Sequence, residues 1–587
     1  MMPAAQSHSG FDRYEMLRRL EDEVFDVLVI GGGITGVGAA LDAASRGLRT
    51  ALVERDDFAA GTSSKSSKLV HGGLRYLQDD PRLVYQALRE RKRLRRNAPH
   101  LVKVLPFLLP VLTKDGVVSR KIARALGSAM WMYDLTGGWR IGKFHKRLRK
   151  RAAFAHLPTM PKDRLASAYL YYDATADDAR LVVTIARTAA THGAAIANRC
   201  SVVKLTKTVD GTLDGSPDNG LTADGLTAKV DGAVVEADGR RFTVRATVVV
   251  NASGVWSDDI RALDEGTHPD SIRPAKGVHL TVPWVKVRND VAVVIPVPKD
   301  KRSLFMVPWV EHPDGTFKYT YIGTTDTDYD GPLIDPQCTK DDIDYVLRAV
   351  NASVTTNITE ADITGVWAGL RPLVKAASSG RTADLSRHHK VRVSASGVVT
   401  VTGGKLTTYR EMAEDAIDTV VDRLEMRARC RTRNLPLLGA VGHSDQPVGT
   451  RAAHLADRYG GFADEIEALI FGDPTLADEL VPGLPYTRAE AIYAARHEMA
   501  STLDDVLTRR TRARLIDRAA ALRAAPAVAA LLAGELEWDN AEILRQIDDF
   551  TSQCAAEAAA ALKPETELAT APAVDKATDA ATASSAS

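Results

Sequence analysis

The run from Val27 to Ala40, VLVIGGGITGVGAA, constrains this chain more than any other stretch. An apolar strand, Phe25 to Ile30, runs into Gly31, Gly33 and Gly36. Ala40 takes a helix-packing position and Gly47 closes the helix. A second strand, Arg49 to Val53, ends in Glu54. Strand, glycine turn, helix and second strand together make a complete dinucleotide-binding unit. Gly31 permits the tight turn, Gly33 lets the backbone approach a pyrophosphate, and Gly36 lets helix and strand pack closely. The helix start offers unpaired N–H groups and the positive dipole end to phosphates. Glu54 is placed to accept hydrogen bonds from the ribose hydroxyls of an adenosine.

At 587 residues, two or three lobes are expected. With 45% hydrophobic and 26% charged residues the chain is of globular type, and a net charge of +1 offers no global attraction to nucleic acid. Cys200, Cys338, Cys430 and Cys554 lie far apart. That excludes a zinc knuckle and a neighbouring redox dithiol, so no metal is expected, and it fits a reducing, cytoplasmic setting. No stretch reaches the roughly 18 apolar residues of a membrane span; the best, Val104 to Leu112, is broken by Pro106 and Pro110. Glu15, Glu21, Asp22 and Glu23 interrupt any basic leader. Any contact with a membrane is therefore expected from its surface.

The wiring narrows the cofactor. After the first nucleotide unit the chain builds short strands from Ala195 to Val250, with Asp-Gly or Asn-Gly hairpin turns expected near Asp210, Asp214, Asn219, Asp231 and Asp238. It returns through Val248 to a small-residue turn at Gly254, and again at Gly403-Gly404-Lys405-Leu406-Thr407-Thr408, which opens a second helix. An NAD-binding fold is contiguous. This one is interrupted, which suits a long, two-part cofactor such as FAD, held non-covalently. The fold class is α/β (α+β overall). An FAD-binding Rossmann-like domain from residues 21–98, 178–272 and 372–428 joins a β-rich substrate domain from 99–177 and 273–371. A helical C-terminal domain, 429–562, follows. Residues 1–20 are expected to be a polar tail with a short helix. The Ala/Thr/Ser/Pro-rich segment 563–587 lacks the apolar content to offset its ordering entropy and is expected to be disordered.

At His71-Gly72-Gly73-Leu74-Arg75-Tyr76-Leu77 and Gly403-Gly404-Lys405-Leu406-Thr407-Thr408-Tyr409-Arg410 the chain resembles FAD-dependent glycerol-3-phosphate dehydrogenase, the aerobic, quinone-reducing kind. Supporting runs are Thr62 to Val70, Ile322-Gly323-Thr324-Thr325-Asp326, Gly369-Leu370-Arg371-Pro372-Leu373, and Arg496-His497-Glu498-Met499-Ala500 continuing to Thr511. The likeness spans roughly residues 24–550. An Asp-Gly-rich insertion around Val209 to Asp224 and the extended tails depart from the pattern.

The resemblance implies oxidation of sn-glycerol 3-phosphate at C2 to dihydroxyacetone phosphate, with electrons passing from FAD to a membrane quinone. Reduced flavin gathers negative charge at its N1/O2 edge, which the helix start at Gly404, Lys405, Leu406 and Thr407 would stabilise. Ser66, Ser67 and Lys68 are expected along the pyrophosphate and flavin edge, with His71, Gly72 and Gly73 beneath the ring. A phosphate dianion calls for arginine forks, supplied by Arg75, Arg371 and Arg387. His279 matches the family's pocket histidine and suits the base for the hydroxyl proton. Tyr76 and Thr325 are expected to line the pocket. The catalytic set is His279, Arg371 and Lys405.

Trp139 to Arg151 holds seven Lys/Arg and no acid, interleaved with Trp139, Ile141, Phe144 and Leu148. Ile122, Leu126, Met130 and Tyr133 precede it at near-helical spacing. Such a run suits an anionic headgroup region as well as a solvated face. The implied partners are glycerol 3-phosphate, a membrane quinone and the membrane surface, with a homodimer left open. The implied place is the cytoplasmic face of the cell membrane, peripherally attached. Alternatives are an oxidase giving electrons to oxygen, an amine-oxidising flavoenzyme of similar fold, and a non-catalytic flavin sensor.

Overall fold

The strand Val24–Ile30 ends in the glycine turn because only small residues fit there. In the computed structural model, which describes residues 11–77, 80–113, 120–209, 212–214, 228–298, 300, 302–375 and 388–568, this strand lies inside a parallel stack. Thr50–Val53 flanks it on one side and the later half of Arg240–Asn251 on the other, with Val29 opposite Leu52 and Val250. Ala195–Ala197 extends the stack beyond Thr50–Val53, and Val399–Thr402 lies beyond Arg240–Asn251. Burial on both faces explains why these strands read as unbroken apolar runs. All five end at one edge, the usual ligand crevice of such a sheet. A Cβ at Gly36, in the helix Ile34–Ser45, would lie 1.8 Å from the Gly31 carbonyl oxygen. That close approach is why glycine stands there.

The strand Arg240–Asn251 also closes an antiparallel meander with Lys229–Ala237 and Ser201–Val209. Asp238 and Gly239, with φ of +51° and +71°, form the expected two-residue turn. Asp231-Gly232 does not. It lies within Lys229–Ala237, where the register shifts between Val230 and Gly232. A Cβ on Gly232 would meet the Val244 carbonyl oxygen, so this glycine makes a bulge instead of a hairpin. Asp214 ends the short strand Thr212–Asp214. Asp210, Asn219 and most of the Asp-Gly-rich insertion lie outside the described residues.

A second, mostly antiparallel sheet runs Thr327–Asp328, Ile272–Pro283, Phe317–Gly323, Ser303–Glu311, Ala292–Pro296, Lys103–Leu112, Leu165–Thr175 and Leu69–Val70. Gly365–Val374 pairs with Ile272–Pro283, and Lys146–Leu148 with Leu165–Thr175. Leu69–Val70 thus belongs to the substrate sheet, not to the FAD lobe in which the sequence places it, because its backbone pairs with Ala174 and Thr175.

The short helix expected near the N-terminus is present but packs into the core, and the C-terminal tail needs correction in part. Asp12 caps the helix Arg13–Asp22 by accepting the Glu15 N–H, and Met16, Leu17 and Leu20 enter the core beside Ala195–Ala197. At the other end, Lys563 to Leu568 is ordered against the substrate domain. The Lys563 carbonyl accepts the Lys340 N–H at 2.9 Å, and Glu565 joins Asp342 in pairing the buried Lys276. Residues 569–587 lie outside the described ones.

The helix Arg518–Leu536 also overturns an expectation, being long and apolar enough to cross a membrane by length and composition. Here its Ala520, Ala521, Ala524, Ala525 and Val528 side chains pack in the C-terminal core against Arg488–Glu498 and Asn540–Ala560.

Buried ion pairs join the C-terminal helices to the FAD lobe. Asp57, 1% exposed, accepts Arg509 Nε and Arg510 Nη1, both at 2.7 Å. Arg180 pairs with Glu498, and Arg199 with Asp505 at 2.8 Å. Breaking such a pair leaves an uncompensated buried charge, a cost of about 3–5 kcal/mol. Asp57→Ala takes the carboxylate from Arg510, which keeps Glu498 at 3.7 Å, and one of three from Arg509, which keeps Asp504 and Asp505. It is expected to lower unfolding free energy by up to about that amount, read from denaturant midpoints at pH 7. A loss below about 1 kcal/mol would mean water replaces the carboxylate.

Candidate active site

The crevice at the ends of the parallel strands is a cleft of about 340 Å³. Gly31, Gly33, Glu54, Gly254, Gly404, Lys405 and Leu406 all line it, so the two glycine-opened helix starts converge on one cavity. Gly33 caps the helix Ile34–Ser45 with no side-chain hydrogen bond, leaving N–H groups at the helix start directed at the cleft. Ile34 N–H donates to Ser63 Oγ at 3.0 Å. Glu54 accepts the Gly32 N–H at 2.5 Å and the Asp56 N–H at 2.8 Å. Burial pushes its carboxyl up to about 7, against the pull of those two hydrogen bonds.

Ser66, Ser67 and Lys68 sit elsewhere than the pyrophosphate end. Thr62 and Ser63 occupy that position, a few residues earlier in the same Ser-rich run. Ser66 gives its N–H and hydroxyl to Asp178, at 3.0 and 2.7 Å. Lys68, in the left-handed region at φ +56°, carries its ammonium to Asp178 at 3.2 Å and over the Trp367 ring at 4.8 Å. Burial, and then the Arg512 cation, lower this lysine to about 8. Ser67 Oγ lies 2.8 Å from His279 Nε2.

The pairing of two strands explains how His279 and Arg371 come to share a face. His279 stands opposite Trp367, Gly277 opposite Gly369, and Ala275 opposite Arg371. Period-two alternation puts all six on one side of the sheet. The glycine pair, having no side chains, leaves room that neighbouring groups take up. Arg371 Nη2 fills the space beside Gly277, and the Lys65 backbone fills that beside Gly369. His279 stacks on Trp367, ring centroids 4.7 Å apart and planes within 9°. Gly323 flanks its other side, where a Cβ would overlap the imidazole. Burial, then the Lys68 and Arg371 cations, hold His279 well below its usual value, so the ring is neutral at pH 7.

Arg371 donates to Asp326 at 3.1 Å, to Thr324 Oγ1 at 3.2 Å and to the Thr325 carbonyl at 3.0 Å. The Thr325 hydroxyl, expected in the pocket, is buried and accepts the Val278 N–H at 2.9 Å. It braces the histidine strand. His71 N–H donates to Thr407 Oγ1 at 3.2 Å, and Lys405 Nζ lies 4.4 Å over the Tyr76 ring. His71, Tyr76, Lys405 and Thr407 therefore meet. Gly72 lies where a Cβ would strike Leu88 and Tyr133, and Gly73 adopts φ +79°. The side chain of Arg75 and the whole of Arg387 lie outside the described residues. Trp367, Tyr321, Asp326, Asp178 and Arg512 escaped the sequence reading. Trp367 carried a signal, its two-residue alternation with Gly369 and Arg371. Arg512 carried none.

A model of the FAD dependent oxidoreductase family matches residues 26–410, and one of the C-terminal domain of alpha-glycerophosphate oxidase matches 430–543. The chain is 41% identical to glycerol-3-phosphate dehydrogenase 2 of Mycobacterium tuberculosis over 563 residues, 93% of this chain and 91% of that protein. It belongs to the FAD-dependent glycerol-3-phosphate dehydrogenase family. The human mitochondrial glycerol-3-phosphate dehydrogenase is 38% identical over 551 residues, 89% of this chain and 72% of that one. Among solved structures, the glycerol-3-phosphate dehydrogenase from Bacillus halodurans complexed with FAD matches with a TM-score of 0.72 and 29% identity. The match covers 93% of this chain and 98% of that one. A helix start whose cap residue has no side chain, and a glycine bed along the cleft, suit an FAD dependent family, and the cleft has both.

The proton on His279 gives a test by linkage. The unfolded chain binds it near pH 6.5, the folded one only at lower pH, so this contribution to stability is full above 6.5 and lost as pH falls. Glu54, raised, acts in the opposite sense in any variant that retains it. Denaturant midpoints of the FAD-loaded protein between pH 7 and 5 are expected to fall less steeply in His279→Gln, by up to about 1.4 kcal/mol per pH unit. Parallel slopes would mean the histidine binds its proton in the folded state as it does unfolded.

Proposed function

We propose that the protein oxidises sn-glycerol 3-phosphate at C2 to dihydroxyacetone phosphate and passes the electrons to a membrane quinone. The observation that carries this reading is a buried neutral histidine and a partly exposed arginine on one sheet face, separated by a glycine pair. The first suits an alcohol proton and the second a phosphate. The relatives named for this substrate support it.

When bound, FAD supplies a two-electron acceptor. Gly31, Gly33 and the start of the helix Ile34–Ser45 would hold its pyrophosphate, Glu54 its ribose, and Gly404 to Thr407 with Lys405 its far edge. Arg371 binds the phosphate end of the substrate. Asp326 and Thr324 fix the fork from one side, so the guanidinium is oriented before the substrate arrives. His279, unprotonated between its aromatic neighbours, takes the hydroxyl proton. The stack on Trp367 and the packing at Gly323 hold the ring in one plane and exclude water from it.

Anaerobic addition of glycerol 3-phosphate is expected to bleach the flavin, and glycerol to do so very poorly. Arg371→Ala is expected to lose about 2–5 kcal/mol of transition-state stabilisation in kcat/KM, the scale for truncating one partner of a charged, hydrogen-bonded pair. Equal bleaching by glycerol and its phosphate would sink the assignment.

Delivery to a lipid-soluble quinone requires approach to a bilayer, and one surface supports peripheral attachment there. Trp131, Met132 and Leu135, on the helix Arg120–Thr136, are 55, 47 and 73% exposed, with Trp139 and Phe144 at 48 and 55% beside them. Met130, Tyr133 and Ile141 turn inward. The side chains of Ile122 and Leu126 lie outside the described residues. Lys143, Lys146, Arg147, Arg149 and Lys150 are exposed around this patch. Each cation contributes about 1 kcal/mol at an anionic surface. Replacing Lys146, Arg147, Arg149 and Lys150 with Gln is expected to reduce co-sedimentation with anionic liposomes while substrate still bleaches the flavin. Unchanged sedimentation would leave this run a solvated face.

A further inference from the structure

Both nitrogens of His279 are accounted for, and neither is open to a substrate. Nδ1 is buried and has no hydrogen-bond partner among the described residues. Nε2 carries a single in-plane lone pair or proton, and Ser67 Oγ lies on it at 2.8 Å. One ring face is covered by Trp367, stacked at 4.7 Å, and Tyr321 stands against the ring with centroids 6.3 Å apart. The Cδ2 edge abuts Gly323. Basicity therefore leaves this imidazole by one route, the Ser67 hydroxyl. Ser67 itself is only half-buried, unlike His279, which is 2% exposed.

The serine is held as a part of the site would be. Its carbonyl accepts the Tyr321 hydroxyl at 3.0 Å. On one side the Ser66 carbonyl accepts Trp367 Nε1 at 3.2 Å, and on the other the Lys68 carbonyl accepts the Ala176 N–H at 3.0 Å. Ser64, Ser66 and Lys68 are further tied to Arg512 and Asp178. Every residue around Ser67 is fixed, while its own hydroxyl has the histidine as its partner. A hydroxyl both donates and accepts, so it stays bonded to Nε2 whether the ring is neutral or protonated.

We propose that Ser67 is a catalytic proton relay, passing the substrate's hydroxyl proton to His279 Nε2. The inference rests on the alcohol oxidation proposed above. The O–H bond of the substrate breaks as its proton moves to Ser67 Oγ, and the Ser67 O–H bond breaks as that proton moves to Nε2. Two protons shift, the serine ends as it began, and His279 becomes imidazolium. The electron pair would leave C2 as hydride, for which FAD, when bound, would supply the acceptor, and C2 would become the carbonyl carbon. Burial and the two neighbouring cations disfavour the imidazolium, which returns its proton through the same hydroxyl once product departs.

The test is anaerobic stopped-flow reduction of the FAD-loaded enzyme by glycerol 3-phosphate, in H2O, D2O and mixtures of the two. Ser67→Ala is expected to slow flavin reduction by about 10²–10³-fold, within the range for a positioned acid–base group, with flavin spectrum and substrate affinity little changed. Ser67→Thr, which keeps the hydroxyl, is expected within tenfold of wild type. The solvent-isotope dependence should be bowed in wild type and in Ser67→Thr, as two protons in flight require, and linear in Ser67→Ala. A merely structural serine would not move that curvature. If Ser67→Ala reduces its flavin near the wild-type rate, or wild type shows a linear dependence with a full isotope effect, the relay is wrong while the alcohol oxidation stands. If wild-type flavin is not reduced at all, the substrate reading itself falls and the relay with it.

Discussion

The buried carboxylate of Asp178 holds together parts of the chain that otherwise have no reason to meet. It accepts the Ser66 N–H and hydroxyl, the Lys68 ammonium at 3.2 Å, its own helix's Ala179 N–H at 3.0 Å and Arg512 Nη2 at 2.6 Å. An isolated carboxylate at such a position would cost several kcal/mol in lost hydration. Five donors from three regions remove that cost only if all are in place. The Ser-rich loop, the start of the helix Asp178–Thr191 and the C-terminal domain are thereby locked to one another. Because a half-satisfied network is worse than none, the arrangement is cooperative. This gives the helical domain a physical part in the site. Its Arg512 also reaches the Ser64 carbonyl, beside the loop that carries Ser67 to the histidine.

Sheet geometry does the complementary work. The strand pair Ile272–Pro283 and Gly365–Val374 sets His279, Trp367 and Arg371 at fixed spacing, with Gly277 and Gly369 between them giving room to the Arg371 fork and the Lys65 backbone. Residues on a paired sheet cannot drift independently, so this scaffold suits groups that must meet one substrate molecule. Loops then supply what the sheet lacks: Ser67 from one side, Thr324 and Asp326 from the other. The aromatic wall of Trp309, Tyr321 and Trp367 is as much electrostatic as steric, since Lys68 rests on two of its rings. That placement keeps a cation near the histidine without giving it a contact to the imidazole.

Charge is distributed unevenly over a chain that is almost neutral overall, at +1. Arginines concentrate at the buried junction of the helical domain, where Asp57, Asp505 and Glu498 answer them. Among the described residues, the exposed lysines and arginines after Trp139 have few such partners, and they surround apolar side chains turned outward. One arrangement specifies how the chain packs on itself. The other leaves surface available for something outside it.

The nucleotide-binding unit was legible because it is local. Strand, glycines and helix lie within 30 residues, and the Cβ clashes at Gly31 and Gly36 are set by backbone geometry alone. The Asp238-Gly239 turn was legible for the same reason. Asp231-Gly232 misled, since an isolated Asp-Gly does not reveal whether the chain reverses there or bulges while its strand continues. A short helix near Arg13–Asp22 was legible, but its docking in the core was not, because three buried side chains in ten residues are a weak signal without their partner strand. Sequence by itself determined the cofactor's fold, the crevice that two distant glycine turns share, and the candidacy of His279 and Arg371. Tertiary structure decided which nitrogen of the histidine is hydrogen-bonded, that Ser67 is its partner, and that Arg512 braces that loop from a domain more than 400 residues away. Those facts depend on burial and on pairing between remote segments, and neither is written in any one stretch of residues.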